Sequence, residues 1–504
     1  MRIRKQYTFI AIVVLASSVI GGTGCKKQLD INQNPNVPTV EQGGASLIFP
    51  VGVLATTGEV GGDLAILGGM WAEYYTQASL ATQYSDIETY DVPVTDRFTT
   101  FPWGTLYTSG LTNYQSAMDA AKTAGDWNFY LMSTVMKAYT TEVMVDLYDQ
   151  IPYTEALQGS KNLHPKFDDG YSIYTSLLKE IDTALGKDFS AATNTLPGTQ
   201  DLIFGGDISK WKAFANTLKL KMFLRMVNAH PDVATAGVTA LVNSHAPFLA
   251  DDAAVTNFSD APGLDNPMYE EDKRQNNTAT NIRASFTFTS WLTANADPRV
   301  VYFFGTATPG GINQGDFAAN QASYQTTAIF RKADHTGATD PVVFLSAAES
   351  YFLQAEADFR YFGGTNTKAL YNQGVLAAFA QTGNDGSAFI APGGAYEWGN
   401  EKEGGVALAP IAQIIRQKWA SCAFGCHGIE AWFEKNRTGF PTTSAVYSTS
   451  GSYIPGQWVE VKNPVTGAGK RPLRLMFPFN ETIVNPNAPA VVPSTTAVWW
   501  SLGQ

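Results

Sequence analysis

Between Trp71 and Tyr107 the chain gathers flat aromatic rings beside amide and guanidinium groups: Trp71, Tyr74, Tyr75, Gln77, Tyr84, Tyr90, Arg97, Trp103 and Tyr107. Rings of this kind cover the apolar C–H face of a sugar, while amides and carboxylates at their edges bond its hydroxyls. Trp71, Tyr74 and Tyr75 repeat at helical spacing, the pattern of packing residues. Tyr84, Tyr90 and Trp103 fall in a stretch broken by Pro93 and Pro102, and are the better candidates for facing a ligand. A second stretch, Asn266 to Asn277, sets Tyr269 beside the donors Arg274, Asn276 and Asn277.

The residues of catalysis are sparse. His164, His230, His245, His335 and His427 are scattered singly, and neither a Gly-x-Ser-x-Gly elbow nor a His-Glu-x-x-His pair occurs. Gly467-Ala-Gly-Lys470 lacks the upstream glycine of a phosphate loop, and Arg471 stands where its Ser or Thr belongs. Glu142 with Asp146, or Glu349 with Glu356, would supply two carboxylates for glycoside cleavage, but helix spacing alone makes no cleft. The expectation is a protein that is not an enzyme and carries no cofactor. Cys422 and Cys426 stand three residues apart before His427. In an oxidising compartment a small disulfide loop is the leading reading. Zinc would need a fourth ligand that no other Cys or clustered His provides, and haem attachment uses two intervening residues.

The compartment follows from the first residues. Arg2, Arg4 and Lys5 precede an apolar run from Phe9 to Ile20, and small residues lead to Cys25, where Lys26, Lys27, Gln28 and Asp30 begin a polar stretch. The run is shorter than the roughly 20 residues that span a bilayer, and a cleaved signal ending at a cysteine is the pattern of a bacterial lipoprotein. Residues 1–24 read as signal, 25–40 as lipid anchor and tether, and 41–504 as one domain, without a second long apolar run. Losing the signal, with three basic and no acidic side chains, moves the net charge from −11 to −14. That balance argues against nucleic acid or an anionic membrane surface as partner. Charged residues are 16% of the chain and aromatics 12%, a surface suited to neutral polar ligands.

The positioning elements read as mainly α. One apolar stripe joins Leu131, Val135, Ala138, Tyr139, Val143 and Leu147, and is closed by Asp149 to Pro152. Another runs from Tyr171 to Leu185 behind Asp168 or Asp169, and a third from Trp211 to Met226 behind Asp207 or Ser209, stopped before Pro231. Ser346–Phe362 and Asn366–Thr382 predict a helix pair that approaches closely over Ala355, Gly374, Ala377 and Ala378. Ile411 to Trp419 and Gly428 to Glu434 begin two more. Long Gly-, Asn- and Thr-rich loops cover Asn257–Ile282, Phe304–Ala328 and Thr442–Lys470.

In this order the segments resemble the SusD/RagB family of nutrient-binding outer-membrane lipoproteins, nearly end to end, and more closely its SusD-like branch. The resemblance is carried by Cys25-Lys-Lys-Gln-Leu-Asp-Ile-Asn with Asn34-Pro-Asn, by Val145-Asp-Leu-Tyr-Asp-Gln-Ile-Pro-Tyr-Thr-Glu-Ala-Leu157, and by Gly206-Asp-Ile-Ser-Lys-Trp211 with the helix to Lys221. Asp297-Pro-Arg299, Ala347-Ala-Glu349 to Ala357, Ile415-Arg-Gln-Lys-Trp419, Gly428-Ile-Glu-Ala-Trp432, Arg437-Thr-Gly-Phe-Pro441, Arg474-Leu-Met-Phe-Pro478 and Trp499-Trp500 continue it. The resemblance implies tetratricopeptide-like helix pairs as a scaffold, with long irregular loops carrying the ligand face. It further implies a glycan nutrient and a TonB-dependent, SusC-like outer-membrane barrel that receives it. A non-glycan nutrient such as peptide, or a surface glycoside hydrolase, is the alternative. Cell-surface exposure is expected of the family, although Lys26 and Lys27 are basic where its export signal is commonly acidic.

Overall fold

Side-chain caps set where the main helices begin. Asp126 accepts from the amide of Phe129, Asp169 from Ser172, Asp207 from Ser209 and Lys210, and Ser346 from Glu349, each cap contributing about 1 kcal/mol. In the computed structural model, which describes residues 40–276, 281–331 and 337–502, the longer helices follow in chain order. They are α1 Val40–Gly61, α2 Asp63–Trp71, α3 Arg97–Thr105, α4 Thr112–Ala124, α5 Trp127–Tyr148, α6 Gly170–Leu185 and α7 Ile208–Arg225. After them come α8 Pro231–Asn243, α9 Phe286–Ala294, α10 Ala347–Tyr361, α11 Thr367–Ala380, α12 Pro410–Ser421 and α13 Gly428–Thr438. Pro231 does not merely stop α7; it opens α8 at the first helical position, where its missing N–H costs nothing. Cys25, with the signal and tether read around it, and Asn277 lie outside the described residues.

Residues 45–504 form one compact unit. Within it α4 packs on α5, α5 on α6, α7 on α8 and α10 on α11; short connections make α4–α5, α7–α8 and α10–α11 antiparallel hairpins. Gly374 lets α11 close on α10, since a Cβ there would lie 2.6 Å from Phe352 Cε1. The fold is mainly α with tetratricopeptide-like helix pairs, as the sequence predicts. Strands are short antiparallel ribbons: β1 Tyr75–Gln77 pairs with β5 Ile282–Ala284, β2 Gln150–Pro152 with β3 Phe167–Asp169, and β4 Ala253–Val255 with β6 Val342–Leu345.

One expectation needs correcting. From Gly44 to Trp71 the chain is long and apolar enough, by length and composition, to cross a membrane. Phe49, Val53, Leu64 and Ile66 are buried in the core of the unit, so the run serves packing. It also carries Glu59 and Asp63. Burial, with the charge of Asp63 behind it, pushes the Glu59 carboxyl up to about 8. A carboxyl raised in this way contributes stability below its unfolded value near 4.5, and loses it as pH rises through 8. Glu59→Gln should therefore raise the melting temperature by several degrees at pH 9 and leave it unchanged at pH 4.5, as differential scanning calorimetry would read.

The centre of the helix scaffold is ionic. Lys221 and Arg225 on α7 face Glu142 and Asp146 on α5 and Glu430 and Glu434 on α13, at 2.9 Å for Lys221 to Glu142, 3.1 Å for Arg225 to Asp146, and 2.8 and 2.6 Å for Arg225 to Glu430 and Glu434. Lys418 on α12 joins Glu430 to Glu349 of α10 at 2.9 and 3.2 Å, and Arg437 joins Glu356 to Glu434. Asp146 also accepts from the Tyr174 hydroxyl and from Trp500 Nε1. Asp149, at the end of α5, takes the amide of Trp499 and lies 3.4 Å from Arg474.

Cys422 and Cys426 are separate thiols, not the expected disulfide loop. Cys422 ends α12 inside the core, while a turn through Gly425, at φ +69°, sends Cys426 toward Asn266, whose side-chain nitrogen lies 3.5 Å from its sulfur. The two side chains serve different neighbourhoods.

Candidate ligand-binding face

The two stretches singled out in the sequence meet, but as packing. Tyr84 is 2% exposed; its hydroxyl donates to Asp272 at 2.9 Å and receives the Asn276 amide at 3.3 Å. Trp103, 6% exposed, lies in a cage of Tyr107, Tyr148, Phe167 and Phe477. Tyr269 is buried as well, with the Arg274 guanidinium 5.4 Å from its ring centre. Arg274 pairs with Asp260 and Asp265. Tyr84, Trp103 and Tyr269 therefore do not face solvent, because a loop this rich in rings finds its own partners. Tyr84 and Tyr269 lie at helices of three or four residues, too short to be patterned in the sequence, while Trp103 packs on Tyr148 at the end of α5.

Tyr90 differs. Half-buried at φ +61°, it lines a cavity of about 90 Å3 with Glu73, Lys435, Trp458 and Arg471. Trp458 Nε1 has no hydrogen-bond partner there. Burial, reinforced by Arg471, brings the Lys435 ammonium down to about 7. Yet Lys435 also donates to the carbonyls of Gly439 and Pro441 and to Thr443 Oγ1. Three such bonds hold the charged form, so its place is the closing of α13 rather than chemistry.

The open surface lies beside α9. The loop 304–328 is stitched to β5 by Ile312 N to Ala284 O and Phe286 N to Ile312 O, both 2.9 Å. The loop 442–470 is stitched to it in turn, by Tyr447 Oη to Gln314 O at 2.7 Å, Ser448 Oγ to Asn313 Oδ1 at 2.5 Å and Lys462 Nζ to Asp316 Oδ1 at 2.7 Å. Gly311 sets the spacing, because a Cβ there would lie 2.6 Å from Phe286 Cα and 2.8 Å from Thr289 Oγ1. The result is a groove of about 710 Å3 walled by α9 and residues 308–311, with Ser323 at its edge. Phe286 stands in it partly exposed, its ring centre 5.9 Å from that of Tyr453. Thr289 and Ser290 give their protons to the Ser285 and Thr287 carbonyls, leaving their oxygen lone pairs as acceptors, and Thr293, Thr308 and Ser323 are exposed. The Phe286 ring bordered by hydroxyls, without a charge in the lining, fits a neutral polyhydroxylated chain. Loop length marked this region in the sequence.

The carboxylate pairs considered for hydrolysis are spent elsewhere. Glu142 and Asp146, and Glu349 and Glu356, are buried among the cations of the ionic centre.

Comparison with known proteins gives the following. Residues 69–456 match the sequence model of a family described as SusD-like and as starch-binding, associating with the outer membrane. A chitin-binding SusD homolog from Flavobacterium johnsoniae superposes with a TM-score of 0.73 at 21% identity, covering 90% of this chain and 99% of that one. A SusD homolog from Bacteroides uniformis gives 0.71 at 20% identity, covering 91% and 99%. A SusD-like protein described as Bacteroidetes AC2a gives 0.72 at 19% identity, with the same coverage. At these identities the likeness is one of fold. No curated protein matches the sequence.

Proposed function

The chain belongs to the SusD-like family, described as starch-binding and associating with the outer membrane, and from that premise we propose that it is a non-catalytic glycan-binding protein. Its ligand lies along the α9 groove, stacked on Phe286 and Tyr453 and hydrogen-bonded by the surrounding hydroxyls. Acyl chains on Cys25 hold it to the outer membrane, facing the cell surface, and it hands the glycan to a TonB-dependent, SusC-like barrel. The observation that carries the reading is the uncharged groove between α9 and the 304–328 loop, lined by hydroxyls and the Phe286 ring, with Tyr453 beside that ring. Reported binding of chitin by a protein of the same fold supports the glycan class.

Native affinity gels containing soluble starch, glycol chitin and other polysaccharides test it. At least one polymer should retard the protein, and Phe286→Ala with Tyr453→Ala should weaken that retardation about thirtyfold, at about 1 kcal/mol for each ring. Equal retardation of the double variant would remove this groove as the site. Release of reducing ends by the purified protein would overturn the non-catalytic reading.

A further inference from the structure

We infer a second ligand site, separate from the α9 groove, in the cleft between α4, α5, α6 and the loop after β2. The cleft holds about 530 Å3, within the range of small-molecule sites. One wall is unusual. Between α3 and α4 the helix does not continue as α but widens into a π-helical run, Leu106–Leu111, and two of its residues, Tyr107 and Leu111, line the cleft. Widened turns of this kind are rare and recur at functional sites. Tyr107 is fixed there by its hydroxyl, which donates to the Pro152 carbonyl at 2.5 Å.

The floor is built from α5. Lys137 and Thr141, one turn apart, are both more than nine-tenths buried, and both line the cleft. Lys137 Nζ lies 3.1 Å from Glu180 Oε2, Glu180 Oε1 receives the Tyr153 hydroxyl at 2.6 Å, and the ammonium sits 5.3 Å from the Tyr153 ring centre. Thr141, 1% exposed, has a hydroxyl with no hydrogen-bond partner among the described residues. A buried hydroxyl left unpaired costs free energy that folding alone does not recover. A ligand group reaching the floor would satisfy it. At the rim Gln115 Nε2 donates to Asp119 Oδ1 at 3.1 Å.

The lining selects the class. Lys137 is neutralised by Glu180, so no free cation awaits an anion. Glu180 is engaged by Lys137 and Tyr153, and Asp119 at the rim accepts from Gln115. What remains is a hydroxyl that both donates and accepts, amide groups at Gln115 and Gln158, and two tyrosine rings. These suit an uncharged polyhydroxylated molecule of mono- or disaccharide size. The site would take the free small sugar, where the groove takes a polymer.

Ligand-observed NMR and calorimetry on the purified protein test this with glucose, N-acetylglucosamine, maltose and diacetylchitobiose, and with spermidine and glycylglycine as the competing classes. At least one sugar should bind with millimolar or tighter affinity. Thr141→Val keeps the shape of a side chain whose hydroxyl has no partner, so it should fold normally yet weaken sugar binding about tenfold. Tyr153→Phe should weaken it in the same direction. Polymer retardation in the affinity gel should be unchanged in Thr141→Val, which separates failure here from failure of the groove. The inference is overturned if no sugar binds, if both variants bind sugar as the parent does, if Phe286→Ala with Tyr453→Ala abolishes small-sugar binding, or if spermidine or the dipeptide binds in place of sugars.

Discussion

Arg225→Met should lower the unfolding free energy by about 3–5 kcal/mol, the cost of stranding buried partners of an ion pair. The guanidinium is fully buried and meets Asp146, Glu430 and Glu434 within 3.1 Å. Methionine fills the volume but leaves those carboxylates facing one another. The loss should depend on pH in a defined sense. Burial, only partly offset by Arg225, already raises Asp146 to about 6, and burial against Lys221 raises Glu142 to about 7. Without Arg225 both rise further and take up protons, so the deficit should be smaller at pH 5 than at pH 8. Urea denaturation at the two pH values measures it. A variant as stable as the parent at pH 8 would show that the ionic centre is not what ties α5, α7 and α13 together.

Gly68→Ala should cost about 3 kcal/mol, the upper part of the range for overpacking. Its absent Cβ is where α2 rests on the start of α13: an added methyl would lie 2.3 Å from Ile429 N, and one on Gly428 would lie 2.6 Å from Gly69 Cα. Backbone meets backbone there, so no flexible side chain can swing aside. Separating the helices would also open the Trp71 and Trp432 rings, 4.8 Å apart, and the bond from the Tyr74 hydroxyl to Trp419 O. Gly58 provides the control. It lies in α1 with nothing within 4 Å of an added Cβ, so Gly58→Ala should stabilise the helix by up to about 1 kcal/mol. Equal melting temperatures for the two alanine variants would refute the close-contact argument.

These two sites explain why the scaffold was legible and the ligand face was not. The segments that carry the family resemblance supply the ionic centre: Lys221 in the helix after Trp211, Glu349 and Glu356 in α10, Lys418 before Trp419, Glu430 and Arg437 around α13. Arg474 and Trp499-Trp500 secure the end of α5. Periodicity and capping residues located α5, α6, α7, α10 and α11 to within a few residues. The α1–α2 run was missed because its apolar residues lack a clean stripe, and α8 because Pro231 reads equally as a stop and as a start. The groove depends on neither. It lies between α9 and a loop that a second loop braces from more than a hundred residues away, and Gly311 rather than any aromatic sets its width. Counting rings in the densest stretch therefore found Tyr84 and Trp103, and the second stretch Tyr269, all of which the core had already claimed.

The tie between Asp146 and Trp500 spans 354 positions of the chain, and Arg225 waits 205 and 209 positions for Glu430 and Glu434. A chain emerging from the ribosome in order makes the acidic face of α5 early and its last partner almost at the end. Until then the charges of α5 and α7 have no complete set of neighbours and every reason to stay in water. The ionic centre therefore cannot close until the segment carrying Trp500 has been made.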